Sequence, residues 1–431
     1  MSKSIPEPNN LPENPKLSVC MIVRDEEKTL PRCLKSVEPV ANELIVVDTG
    51  SKDNTVLVAN DLGAKVFHFE WCDDFAAARN ESIKHATSDW VLQIDADEEL
   101  VGDSIPHLRQ CIREANVICY SIKCDNGPTY TGPRFGWFDR LFRRHPHIFY
   151  HGPYHETVSQ SARDLIAANS EWGYVSEPNV VLRHYGCEGS NISKTKHERG
   201  VAIMESYVKA NPKDAYMLSQ LGTAYSALGR SDEAVEYLKK ALQIEPNCPT
   251  TNFTLGVTLQ EVGSLKEAAA FYQKAISVDS NFAEAYASLG AIHLDQGMLD
   301  LAISASTKSL EINPDLALGL CNLGLAYVGK GLHAEGVATL KKAISINPGL
   351  AEAHMNLGVA YTKQGRLEDA IIEYEKALKI DPDYPRAHYN YAITLFKNGS
   401  YEKAVEQCDK AVELGVEVHP QFLEWLQPHR S

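Results

Sequence analysis

Residues 90–100 read Trp-Val-Leu-Gln-Ile-Asp-Ala-Asp-Glu-Glu-Leu, an apolar run of strand length that ends in a burst of acid. Two earlier runs, LSVCMIV at 17–23 and ELIVVD at 43–48, are short, apolar and β-branched, as strands buried on both faces of a parallel sheet are. Between and after them the pattern predicts a helix over 29–37, with Thr29 as its N-cap and Pro31 in the first turn. A helix over 55–62, a strand over 65–69, a helix over 75–85 and a strand over 90–94 complete an α/β alternation. Asp48 and Asp95 then sit at the carboxyl ends of strands, where open α/β sheets bind ligands. Strands over 117–123, 138–143 and 179–184 follow.

The second half obeys a different rule. Prolines at 212, 246, 314, 348 and 382 are spaced by 34 residues or twice 34, and Ser280 fills the gap. Leu-Gly pairs at 221–222, 255–256, 289–290, 323–324 and 357–358 keep the same period. Twelve residues after each glycine comes Ala234, Ala268, Ala302, Gly336 or Ala370, and a sixth unit continues with Tyr391, Ala392 and Ala404. Small residues at both positions let paired helices cross closely, while Gly229, Gly263, Gly297, Gly331, Gly365 and Gly399 mark the turn within each pair. The pattern resembles the tetratricopeptide repeat over about half of the chain. The expected layout is a disordered segment at 1–15, an α/β domain at 16–193 and a linking helix or half repeat at 194–214. Six repeats at 215–418 form an all-α solenoid, and a cap at 419–431 covers its last apolar face.

Composition removes several classes. The 431 residues carry 57 acids against 42 bases, a net charge of -15, the wrong sign for a nucleic-acid binder. No apolar run nears the roughly 20 residues that span a bilayer, and the polar N-terminus lacks a signal-peptide core. Ten cysteines without CxxC pairs suit buried thiols in a reducing compartment, so a cytoplasmic location is expected.

Asp95 and Asp97 can place hard oxygen ligands around one Mg²⁺ or Mn²⁺ that also bridges two phosphates, although an acidic loop after a strand is often only solvated surface. Context sharpens the reading. SVCMIVRDEE at 18–27, IVVDTGSKDNT at 45–55, DDFAAARN at 73–80 and DWVLQIDADEE at 89–99 together resemble the nucleotide-binding half of family-2 glycosyltransferases of the GT-A fold. The bacterial subgroup with lipopolysaccharide-core and peptide glycosyltransferases is the nearest in pattern. The resemblance implies that Val23, Arg24 and Glu26 lie beside the base and ribose of a nucleotide sugar. It places Asp48 on the pyrimidine ring, Arg79 near base and phosphates, and Asp95 near the ribose. Asp97 becomes the direct metal ligand, with Glu98 and Glu99 as solvated neighbours. Asp48 has a second reading as a cap of the following helix, and Arg79 as a surface ion pair.

The stretch FDRLFRRHPHIFYHGPYHETV at 138–158 resembles the subgroup's strand before a His-Glu pair, here His155-Glu156. Inversion needs a carboxylate to take the acceptor's proton, and the resemblance gives that role to Glu156. Asp139 is the rival base, and a Glu156 salt-bridged to nearby arginines is the competing account. Arg134, Arg140, Arg143 and Arg144 form a basic cluster suited to a diphosphate or an anionic acceptor, or to a solvated strand face. His184 matches a histidine brought to the metal or diphosphate, with a core histidine as the alternative. In the repeats, Asn322, Asn356 and Asn390 recur in phase and resemble the asparagine ladder of O-linked N-acetylglucosamine transferases, which holds an extended peptide backbone. Gln220, Thr254 and Ser288 make the ladder partial, and asparagine is also common at this position of the repeat generally.

The leading expectation is a Mn²⁺- or Mg²⁺-dependent inverting enzyme that moves a sugar from a nucleotide donor, by default a UDP-sugar, to a protein or glycan acceptor. The repeats would recruit the acceptor or a partner protein, and helices missing from the compact first domain suggest that they also help form the acceptor site. The alternative is a repeat scaffold with an inactive transferase-like domain. A sugar nucleotidyltransferase is disfavoured because Arg24-Asp25-Glu26-Glu27 stands where a basic phosphate loop would be.

Overall fold

Strand β1 (Leu17–Val23) is almost wholly buried because it is flanked on both sides and covered on both faces. The computed structural model describes residues 7–127, 135–154, 156–185 and 194–430; Arg134 and His155 lie outside them. Two units are defined by their internal contacts, Met1–Ala224 and Tyr225–Ser431.

In the first unit, β1 is followed by α1 (Leu30–Val37), β2 (Glu43–Asp48), α2 (Thr55–Asp61), β3 (Lys65–His68) and α3 (Phe75–His85). Then come β4 (Trp90–Gln93), the short β5 (Glu98–Leu100), α4 (Ile105–Cys111), β6 (Val117–Asp125) and β7 (Phe135–Arg143). Helix α5 (Ser159–Ala168), β8 (Gly173–His184) and α6 (Lys194–Ala210) complete it. The sheet runs β3-β2-β1-β4-β7-β6-β8-β5. Its first four strands are parallel, whereas β7 is antiparallel to both β4 and β6. Alternation along β1 sends Leu17, Val19 and Met21 into one apolar layer with α1, α2 and α4, and Cys20 into the other with α3 and α5. The α/β expectation therefore holds, with helix α3 at the predicted bounds.

Other local expectations are corrected. Thr29 does not cap α1, because its hydroxyl donates to the Glu26 carboxylate and carbonyl instead of accepting from the helix. Elements β5, α4 and α5 were not foreseen; each is short and lacks a clear apolar period.

The second unit begins inside α7 (Ala215–Ala227). It continues with α8 (Ser231–Ile244), α9 (Pro249–Glu261), α10 (Leu265–Val278), α11 (Ala283–Asp295) and α12 (Leu299–Ile312). Helices α13 (Ala317–Gly329), α14 (His333–Ile346), α15 (Ala351–Lys363), α16 (Leu367–Ile380), α17 (Pro385–Lys397) and α18 (Tyr401–Glu413) follow in pairs. The short α19 (Pro420–Leu426) buries Phe422 and Leu426 against the last pair. Each turn closes in the same way: Gly331 has φ +81°, and the Leu332 amide bonds the Tyr327 carbonyl five residues back. Close crossing is sharpest at α13 and α14, where a Cβ on Gly336 would stand 2.9 Å from the Gly324 carbonyl oxygen. Asn252, His354 and His388, in phase with one another, each bond the carbonyl of a repeat proline: Pro246, Pro348 and Pro382.

Glu43, at the start of β2, ties the parallel strands together. Its carboxylate accepts from Ser18 Oγ at 2.5 Å, Thr87 N at 2.6 Å, Ser88 N at 3.1 Å and Lys65 Nζ at 3.0 Å. Burial pushes the group up, but these donors outweigh it and hold it down to about 2, against an ordinary 4.5. A carboxylate depressed on folding stabilises fully above its unfolded value, and the effect is lost as pH falls through the folded one. The first unit should therefore lose urea resistance between pH 4.5 and about 2, and Glu43→Gln should flatten that acid limb.

Candidate active site

The carboxyl ends of β1 and β4 open into a cavity of about 820 Å³ within the first unit. Val23, Arg24 and Glu26 enter it from β1, Arg79 from α3, and Asp95 and Asp97 from the loop after β4. Glu156 and His184 line it as well. Of the nine donor, metal and catalytic residues expected from the sequence, only Asp48 is turned away. Its oxygens accept from the amides of Gly50 at 3.2 Å and Ser51 at 3.1 Å, with His68 Nδ1 at 3.4 Å. It closes the loop after β2 rather than capping α2, and its neighbour Thr49 faces the cavity.

Arg79 organises the site. Asp74 caps α3 by accepting from the Ala77 amide at 2.8 Å, and buried Ala76 and Ala78 let the helix lie close to the sheet. That delivers a guanidinium 6% exposed, with Nη2 2.8 Å from Asp95 Oδ1 and Nε 2.5 Å from Glu156 Oε1. Arg140 Nη2 holds the other Asp95 oxygen at 2.8 Å and approaches Glu98 at 3.4 Å. Burial pulls the Arg79 guanidinium down, but Asp95 and Glu156 outweigh it and hold it above its ordinary value. Burial would likewise raise Asp95, yet Arg140 and Arg79 hold it well below the usual carboxylate range.

Glu98 corrects an expectation. It is buried instead of solvated, accepts from the Asp95 amide at 2.9 Å, and is pushed up by its burial. The basic cluster disperses too. Arg140 alone of its described members lines the cavity. Arg143 is buried near Trp90 and Trp172 and donates to the Asn10 carbonyl, while Arg144 donates to the Ser88 carbonyl.

Both candidate bases are engaged. Glu156 is paired with Arg79, the arrangement of the competing account, and the Asp139 oxygens accept from the hydroxyls of Ser159 and Tyr174. Among the described residues that line the cavity, two buried side-chain donors remain unspent: Arg79 Nη1 and Tyr150 Oη. Burial pushes the Tyr150 phenol up, so it is a neutral donor beside the guanidinium. No sequence signal marked Tyr150 beyond its place in the stretch before Glu156.

Asp97 Oδ2 and His184 Nε2 stand 3.2 Å apart at the cavity's edge, about 31% and 26% exposed, because β5 and β8 pair Glu98 with His184. The bond to Asp97 pushes the imidazole up. No cluster of three metal-binding side chains occurs among the described residues. One carboxylate and one imidazole fit a divalent ion that takes its remaining ligands from phosphates and water, and not an ion caged by protein alone.

The asparagine ladder lies inside the array. Asn322 and Asn356 are each 1% exposed. Asn322 Nδ2 donates to the Ala287 carbonyl at 2.9 Å, and Asn390 Nδ2 is 3.5 Å from Met355 Sδ. Amides spent or sealed between repeats do not reach a peptide backbone, so the ladder is corrected to a contact between repeats.

Comparison with known proteins agrees with this architecture. Residues 18–164 match the family described as glycosyl transferase family 2, and tetratricopeptide repeat families match segments from 215–248 to 385–414. A TPR repeat-containing protein of Synechococcus elongatus is 39% identical over 228 residues, 53% of this chain and 56% of that protein. The prophage-derived glycosyltransferase SunS of Bacillus subtilis is 29% identical over 235 residues, covering 53% and 54%. The chain thus spans about half the length of these relatives. Among solved structures, the APC/C hetero-tetramer Cut9-Hcn1 superposes with a TM-score of 0.50 at 18% identity, over 56% of this chain and 46% of that one, a likeness of fold alone. The chain carries a family-2 glycosyltransferase domain of GT-A type followed by a tetratricopeptide solenoid.

Removing one member of a buried ion pair typically costs about 3 kcal/mol, because the other charge is stranded. Arg79→Met should lower the urea stability of the first unit by about that amount. Adding Glu156→Gln should recover part of the loss, a coupling that a double-mutant cycle measures.

Proposed function

We propose that the chain is a metal-dependent inverting glycosyltransferase that moves a sugar from a nucleotide-sugar donor, by default a UDP-sugar, to a protein or glycan acceptor. One observation carries the reading. Asp95 on the donor side and Glu156 on the acceptor side share the Arg79 guanidinium, so the two halves of the chemistry face one cavity.

In this reading the nucleotide lies along the end of β1, beside Val23, Arg24 and Glu26, with its ribose near Asp95. Its diphosphate lies toward Asp97 and His184, which would hold the metal. A divalent ion there supplies positive charge to the departing diphosphate. Arg79 Nη1 and Tyr150 Oη offer donors to donor oxygens as Arg79 exchanges its carboxylate partners for ligand. Glu156, released, takes the proton of the acceptor hydroxyl while that oxygen attacks C1. The C1–oxygen bond to the diphosphate breaks on the opposite face. The repeats recruit the acceptor or a partner protein. Because Asn322 and Asn356 are buried and Asn390 Nδ2 faces Met355, that recruitment is assigned to the array's surface and not to a ladder. No helix among the described residues is long and apolar enough to cross a membrane.

Thermal shifts with nucleoside diphosphates test the donor site. UDP with Mn²⁺ should raise the transition of the first unit, by about 2.7 kcal/mol of stabilisation at a hundredfold excess over Kd. Asp97→Ala should abolish the metal-dependent part. No shift with any nucleotide would favour the inactive-domain scaffold. Glu156→Gln should keep donor binding while transfer falls by about 10²- to 10⁴-fold, the usual worth of a general base; near-normal turnover would move the role to Asp139.

A further inference from the structure

The loop that carries Glu156 is gripped from a direction that the family domain does not supply. His151 and Thr157 close it as an antiparallel bridge, with amide-to-carbonyl distances of 2.9 and 3.1 Å. On one side the Pro153 carbonyl accepts from the Phe75 amide at 2.9 Å, which anchors the loop to the start of α3. On the other side stand α6 and the first turns of α7. Both lie beyond residue 164, where the glycosyltransferase family match ends, and a repeat match begins at 215.

The grip depends on two glycines. Gly200 sits within α6, where glycine costs about 1 kcal/mol relative to alanine. A Cβ there would stand 2.6 Å from the Tyr154 ring, so the helix backbone and the ring are in direct contact. Gly152 has φ +87°, and a Cβ on it would lie 2.7 Å from Met217 Sδ on α7. Arg199 extends the contact, 5.6 Å from the Trp71 ring and 3.5 Å from Asp73. Tyr216 and Gln220, one turn apart on α7, line the same cavity as Glu156. The Tyr216 phenol is pushed up to about 12, by burial first and then by the charge of Glu156.

We propose that α6 and the start of α7 belong to the active site, with Gly200 and Met217 as positioning residues that hold the Tyr150–Thr157 loop, and so Glu156, in register with the donor. The first helix of the repeat array then has two duties: Met217 supports the loop while Tyr216 and Gln220 wall the space that the acceptor enters. The inference rests on the glycosyltransferase reading and adds the part of the chain that makes the catalytic carboxylate effective. An error of about 1 Å in such a group can cost on the order of a hundredfold in rate.

The test needs no knowledge of the acceptor, because water can replace it. The full chain is assayed with Mn²⁺ for release of nucleoside diphosphate from UDP-glucose, UDP-N-acetylglucosamine and GDP-mannose, and for nucleoside diphosphate affinity. Gly200→Ala should lower kcat for donor hydrolysis tenfold or more, with KM and nucleotide affinity within about twofold of wild type. Tyr154→Leu, which removes the ring without crowding the helix, should also lower kcat and keeps the test open if Gly200→Ala does not fold. Combining the two should recover activity relative to Gly200→Ala, since the added methyl then has room. Unchanged hydrolysis in both single variants, or a loss of nucleotide affinity parallel to the loss of rate, overturns the proposal alone. A wild type that neither binds nor turns over any of the three donors overturns both this proposal and the reading beneath it.

Discussion

A guanidinium that water barely reaches must be neutralised by the protein, and Arg79 meets that demand with carboxylates from two distant parts of the chain. Asp95 comes from the end of a parallel strand and Glu156 from the connection between β7 and α5. Pairing both with one side chain fixes the mutual position of α3, the acidic loop and the Glu156 loop. Arg140 and Glu98 extend the network, which holds two cations and three carboxylates when all are ionised. It therefore carries one net negative charge and stays open to a cationic centre beside it. Arg79 thus holds Asp95 and Glu156 in place through ion pairs within the protein itself.

Much of this was legible in the sequence, for physical reasons. Strands buried on both faces are continuous apolar runs, so β1, β2 and β4 could be read off directly, and α3 was found at its observed bounds. A 34-residue period recurring in several positions left no other reading of the second half. Most of the residues foreseen for the site do reach the cavity, because strand ends deliver side chains to one rim. What was not legible was direction. Asp48 stands at a strand end as expected, yet its oxygens turn back to the Gly50 and Ser51 amides. Glu98 looked like surface acid until Arg140, 42 residues later, buried it. The asparagines recur in phase as a ladder would, but their phase does not say whether they face a groove or a neighbouring repeat.

The same limit explains why the second anchor of the Glu156 loop escaped notice. Gly200 in a polar helix reads as a weak point, and only the Tyr154 ring beside it gives it meaning. A domain boundary drawn from sequence families falls where the shared pattern ends. A boundary drawn from contacts falls at Ala224, after the residues that finish the cavity. Within that interval, residues 215–224 pack with the first unit and yet match a tetratricopeptide repeat in sequence.

The turn shared by all repeats has a consequence of another kind. Within each pair the first helix ends in a left-handed glycine, with a backbone bond that reaches back five residues, so the turn inside every unit is closed by that unit's own residues and not by its successor. Misaligned recombination between such units would insert or delete whole lengths of 34 residues and meet the same joint on either side. Repeat number is thus a quantity that inheritance can vary in steps, while the cavity, which ends with Gln220, passes unchanged from one length to the next.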